Sequence, residues 1–398
     1  MKVSDLVFGQ NAFYNQKDYQ AKTKTEFQTR SAPLPSHVVE TGNKALRIAK
    51  QTLFLLGAAL ILYATFYRFG SLFSSFQKLK LPSVSEIPLA PKALLAAYTL
   101  PQAFHKCAGT LVIPGFWIGL EASNWRKNID PEAFDESGHK IKRFSIQVDG
   151  YTIDAVLTMR NKGEDNGRWT LISGGNGELY EALSIPGYRD SYLRMLDALE
   201  SNSIYFNYAG VGASSGLPDH DIILKAYEAM MTILEDDLKA NEILLYGHSI
   251  GGGVQGEALK NHELKEGVCY LAIKSRTFLD FADTAADVLF KPLDSLIRLV
   301  NWNFNSKESS PNEKCPQIIL QTTSGEWYQD LSKNPETIEF DGVISSVVSL
   351  AYNLLKEPIT LKHTHFMGIP EAHNSSFLID PRPLADKVNR MLKDFYGA

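Results

Sequence analysis

Cysteine is scarce: three in 398 residues, with Cys107, Cys269 and Cys315 too far apart to form a C-x-x-C pair. That usage excludes a disulfide framework and an ordinary structural zinc site, and it suits a reducing, cytosolic compartment. Positive charge is not in excess either, since 40 Lys and Arg stand against 45 Asp and Glu for a formal net charge of −5. A polyanion would find no electrostatic footprint, so nucleic acid is not an expected partner. Fixed-period repeats are absent, which removes solenoids and propellers. The chain also lacks a phosphate cradle, because the glycines at 174, 175 and 177 fit neither G-x-x-x-x-G-K nor G-x-G-x-x-G. No metal or organic cofactor is implied.

Residues 1–42 are polar, with Pro33 and Pro35 near their end, and read as a loosely ordered tail. Residues 43–140 form a helical, apolar region in which Pro82, Pro88, Pro91, Pro101 and Pro114 keep the helices short or kinked. Inside it, residues 51–67 run for 17 positions without a charge, bounded by Lys50 and Arg68. Such a run sits at the short edge of a bilayer span and suits two roles: a membrane-inserted or membrane-lying segment, or a helix packed on a catalytic domain. A second apolar stretch, residues 93–100 and 107–120, is interrupted by Pro101, His105, Lys106 and Pro114.

From 141 to 398 the texture alternates strand and amphipathic helix, the pattern of a mainly parallel sheet covered on both faces. Residues 143–148 and 151–159 flank Asp149-Gly150, a two-residue hairpin turn, so the sheet opens antiparallel. Strands are expected at 169–173, 203–207, 242–246, 268–273, 317–322 and 359–363, with helices at 188–200, 219–236, 250–259 and 343–355. A last helix starts after Asp380-Pro381 and stops at Gly397. Two antiparallel strands leading into a parallel run make an α/β class chain of the α/β-hydrolase order. Residues 279–310 are inserted, and their aromatic stretch 296–304 suits a lid or a packed helix.

The most informative string is Gly247-His248-Ser249-Ile250-Gly251, at the corner between a strand and a helix. A serine there is thrust out of the sheet edge, and flanking glycines avoid a Cβ collision with the returning backbone. A serine hydroxyl needs a base to take its proton and an acid to hold that base, in the chain order Ser, acid, His. His248 adjoins Ser249 and is expected to point away, and His363 and His365 alternate along the last strand. His373, in the following loop, is the candidate base. Asp341, just before a helix, is the favoured acid, with Glu326 and Asp330 as alternatives. The oxyanion needs two backbone N–H groups: Ile250 supplies one, and Asn176 or Gly175 in the loop Ser173-Gly174-Gly175-Asn176-Gly177 the other.

These residues resemble the α/β-hydrolase superfamily over about 141–398. Phe206-Asn207-Tyr208-Ala209-Gly210-Val211-Gly212-Ala213-Ser214-Ser215-Gly216 is similar to the superfamily's N/D-Y-x-G-x-G-x-S-x-G segment, and Lys274-Ser275-Arg276-Thr277-Phe278 to a basic-aromatic turn of membrane-tethered serine hydrolases. With the apolar N-terminal region, the chain also resembles lipase-type proteins of Chlamydia and Legionella. Two departures stand out: Gly174-Gly175 replaces a frequent His-Gly, and residues 324–340 are inserted before the acid. The resemblance implies a serine hydrolase acting on acyl esters or thioesters; the apolar stretches within 51–67 and 93–120 would place it at a membrane, with acyl lipids or acylated proteins as the favoured substrates. A serine peptidase of the same fold, or a catalytically silent module docked at a membrane, are the alternatives.

Overall fold

The structure, a computed structural model, describes residues 18–22, 26–30, 105–161, 166–289, 291, 293–306, 314–324, 327–357 and 361–397. The apolar run at 51–67 and residues 93–104 lie outside them. Among the described residues no helix is long and apolar enough to cross a membrane.

Among the described residues ten strands form one sheet: β1 (Asp18–Lys22), β2 (Glu26–Arg30), β3 (His139–Val148), β4 (Tyr151–Arg160), β5 (Arg168–Ser173), β6 (Asn202–Phe206), β7 (Glu242–His248), β8 (Cys269–Ser275), β9 (Gln317–Thr322) and β10 (Thr364–Ile369). Eight of them run in the order β3-β4-β6-β5-β7-β8-β9-β10, the strand sequence of an α/β-hydrolase. β4 is antiparallel to both β3 and β6, and every pair from β6 to β10 is parallel. The hairpin turn falls at Asp149 and Gly150, with φ of 46° and 83°, as a two-residue primed turn requires. β1 and β2 form an antiparallel hairpin on the outer edge of β3, within the stretch expected to be a loose tail.

The core divides by strand alternation. Ile243 and Leu245 of β7 face one apolar layer with Ile222, Tyr227 and Val254 from the helices His220–Thr232 and Ile250–Asn261. Leu244 and Tyr246 face the other, against Leu196 of Pro186–Leu199 and Val388 of Arg382–Tyr396. Parallel strands covered on both faces are buried nearly end to end, and β9 is buried at all six positions. The same two layers also take in Ile113 and Ala122, and Ile129 and Phe134, from helical segments ahead of β3.

Two expectations are corrected. The last strand begins at Thr364, after the expected 359–363, because the side chains that reach the core are Phe366, Met367 and Ile369; His363 therefore precedes the strand and only His365 lies on it. The helix expected over 343–355 is a 3-10 turn, Ser346–Val348, followed by Leu350–Lys356, whose start is fixed by the Ser349 hydroxyl accepting from the Tyr352 amide. Of the two roles considered for residues 296–304 of the insertion, Trp302 and Phe304 take the packed one, since both are fully buried. Trp302 stacks on His105 with ring centroids 5.2 Å apart and donates its indole N–H to the His105 carbonyl, and Phe304 stacks on His220.

Candidate active site

Ser249 sits between β7 and the following helix with φ 53° and ψ −121°, a conformation that a side chain tolerates only where its surroundings impose it. They do so through packing. A Cβ on Gly251 would stand 2.0 Å from the Ser173 carbonyl oxygen, and one on Gly247 would stand 2.7 Å from that of Gly251. The turn after β8 grips the corner from the other side: the Ser249 amide donates to the Ser275 carbonyl at 2.9 Å, and the Thr277 hydroxyl donates to the Ser249 carbonyl at 2.7 Å.

Across the carboxyl edge of the sheet, Ser249 Oγ lies 2.9 Å from His373 Nε2, and His373 Nδ1 lies 2.8 Å from Asp341 Oδ2. All three residues are buried, with exposures of 8% for Ser249, 6% for His373 and 2% for Asp341. Asp341 follows β9 and His373 follows β10. The other carboxylate oxygen of Asp341 accepts the amides of Val343 at 2.8 Å and Ile344 at 2.6 Å, so a tight turn, not a helix, holds the acid. The His373 amide also donates to the Asp341 carbonyl at 2.7 Å, tying the two loops together. Asp330 is placed elsewhere: it bridges to Met367 at the sheet edge and pairs with Lys333. Glu326 lies outside the described residues.

The loop after β5 is fixed at nearly every peptide. Tyr208 donates its hydroxyl to the Gly174 carbonyl at 2.6 Å, and the Gly115 amide donates to the Asn176 carbonyl at 2.8 Å. Of the two amides considered for the oxyanion, that of Gly175 is already engaged, donating to Glu178 Oε2 at 2.7 Å. No acceptor among the described residues takes the amides of Asn176 or Ile250. The Asn207-Tyr208 segment thus has a local purpose, since Asn207 also accepts from the Tyr180 amide and donates to Glu181. Glu181 is buried against Arg126.

Residues 119–376 match the family model described as Chlamydia CHLPS protein (DUF818). The chain belongs to that family. The match takes in Ser249, Asp341 and His373 together with the loop after β5. Among curated proteins, the alpha/beta hydrolase domain-containing protein WAV2 of Arabidopsis thaliana is 31% identical over 90 residues, which is 22% of this chain and 29% of that protein. The match therefore spans less than a third of the relative's length. Solved structures with related folds include an esterase of Pyrococcus furiosus, at 14% identity and a TM-score of 0.46 over 67% of this chain and 93% of that one. An alpha-beta hydrolase of Vibrio vulnificus matches at 13% identity and a TM-score of 0.44, over 66% of this chain and 83% of its own. A bacterial membrane phospholipase A matches at 16% identity and a TM-score of 0.40, over 77% of this chain and 100% of its own. Scores of this size carry nothing about substrate.

Three residues of this CHLPS-family site escape sequence reasoning. His248 does not point away from the site: its ring centroid is 5.1 Å from that of His373. Strand alternation would separate neighbours, but the reversal at Ser249 ends the strand and returns both side chains to one side. Glu178 accepts from His248 Nδ1 at 2.6 Å and from the Ser376 hydroxyl. Burial pushes the Glu178 carboxyl up, but hydrogen bonds from the His248 imidazole, the Ser376 hydroxyl and the Gly175 amide hold the group below the usual carboxylate range. Burial dominates at His248 and lowers its pKa, which favours the neutral ring. Arg276, fully buried, donates to the carbonyls of Ala372 and Ser375 around His373. Arg276 belongs to the basic-aromatic segment 274–278 noted in the sequence, and the signal for Glu178 is an acid three positions beyond Gly175.

Proposed function

We propose that this CHLPS-family protein is a serine hydrolase that cleaves acyl esters or thioesters through an acyl-enzyme. The single observation that carries the reading is the unbroken chain from Ser249 Oγ through His373 to Asp341, built on a strained strand-to-helix corner. His373 donates from Nδ1 to Asp341, which leaves Nε2 to receive the Ser249 proton as Oγ attacks the carbonyl carbon. The amides of Ile250 and Asn176 hold the oxyanion. The imidazolium then gives its proton to the leaving oxygen or sulfur as the carbon–heteroatom bond breaks. Water, deprotonated by His373, releases the acid and regenerates the serine.

An acyl substrate at a membrane is supported by apolar side chains around the acid. Phe340 and Val347 flank Asp341 in sequence and are 62% and 57% exposed. Leu289, 68% exposed, ends a helix whose Asp287 accepts from the Ser345 hydroxyl at 2.6 Å. The uncharged run at 51–67 is the sequence feature that would bring the chain to lipid.

The test combines a fluorophosphonate probe with a series of acyl esters of increasing chain length, with and without vesicles. Wild type should label and turn over, and Ser249→Ala should lose labelling and at least about 10⁴-fold in kcat. Equal labelling of both forms would refute the nucleophile. A folded wild type that neither labels nor hydrolyses would instead favour a silent binding module, and indifference to chain length and vesicles would remove the lipid substrate.

A further inference from the structure

The reaction proposed above leaves Glu178 and His248 without a role, yet they occupy the junction of the three segments that build the site. The carboxylate of Glu178 receives one donor from each: Gly175 N–H at 2.7 Å from the loop after β5, His248 Nδ1 at 2.6 Å from the residue before the nucleophile, and the Ser376 hydroxyl from the loop that carries His373. His248 is 3% exposed, and among the described residues its Nε2 has no hydrogen-bond partner. A carboxylate whose side chain is 17% exposed, with three converging donors, is a rigid junction, since releasing any donor would leave a polar group unpaired.

Resting on the hydrolase reading, we infer that Glu178 is a positioning residue: its carboxylate locks the oxyanion loop, the nucleophile corner and the base loop in reactive register. By consuming the Gly175 N–H it leaves the next amide, that of Asn176, for the reacting oxygen. By accepting from His248 Nδ1 it fixes the orientation of that ring beside His373. Preorganised donors of this kind act on the tetrahedral state more than on the bound ester. The expected signature is therefore a fall in kcat at unchanged KM.

The experiment uses the full chain with a p-nitrophenyl acyl ester, active sites counted by fluorophosphonate titration, thermal unfolding, and a trifluoromethyl ketone as a tetrahedral-state mimic. Glu178→Gln should lower kcat per titrated site by about a hundredfold, with KM unchanged and mimic affinity falling in parallel with kcat/KM. Ser376→Ala and His248→Phe, each deleting one donor, should show the same split more weakly. Normal kcat per titrated site in Glu178→Gln would overturn the inference. So would a loss matched by the folded fraction. If Glu178→Gln does not fold, Ser376→Ala and His248→Phe decide alone, and normal kcat in both would overturn it. Failure of the hydrolase reading looks different: wild type itself would then show no labelling dependent on Ser249.

Discussion

Arg276 donates from Nη1 to the carbonyl of Ala372 at 2.8 Å, so the turn after β8 reaches across the sheet edge to the residue beside His373. The second guanidinium nitrogen takes the Ser375 carbonyl, and the neighbouring Ser275 and Thr277 hold the backbone of Ser249. One turn therefore sets the spacing between Ser249 and His373. Arg276→Lys keeps the charge but offers a single point where two prongs are needed. It should lower kcat about tenfold or more through lost alignment, as steady-state kinetics on titrated sites would show. Unchanged kcat would mean that the base loop holds itself.

Asp341 and Asp330 are separated by the same kind of measurement. Asp341→Asn should preserve the fold and cut kcat by about 10⁴ at neutral pH, because the amide no longer enforces the working tautomer of His373. Asp330→Asn, at the sheet edge, should leave kcat alone. The reverse result would move the acid into the inserted segment.

Two glycines test how tightly the corner is built. A methyl at Gly251 would meet the Ser173 carbonyl oxygen at 2.0 Å, backbone against backbone, and should cost about 3 kcal/mol or more. Gly267 has φ +79° but open space around its would-be Cβ, so Gly267→Ala should cost only about 1 kcal/mol. Urea unfolding of the two variants checks the difference; equal losses would show that the corner relaxes.

The pH dependence of stability should carry a signature from His365. Burial, with Lys387 nearby, lowers its pKa from 6.5 to about 4. Between those values the unfolded chain binds a proton that the folded chain refuses. This contribution is complete above pH 6.5 and is lost as the pH falls toward 4. His365→Gln should flatten that limb in urea titrations without changing kcat at neutral pH. An unaltered limb would place its origin elsewhere.

Much of this was written in local pattern. Period-two alternation in β3 and β4, the Asp149-Gly150 turn and the glycine-flanked Ser249 state strand, hairpin and corner in neighbouring residues alone, because sterics act at short range. The chain order Ser249, Asp341, His373 follows once those elements are arranged in a parallel sheet. What only the folded chain decided is what meets across it: that His248 turns toward His373, that Glu178 gathers donors from residues 175, 248 and 376, and that Arg276 spans to 372 and 375. Such contacts join residues far apart in sequence, through side-chain directions set by packing and by a single reversal of the backbone at Ser249, and no local pattern encodes them.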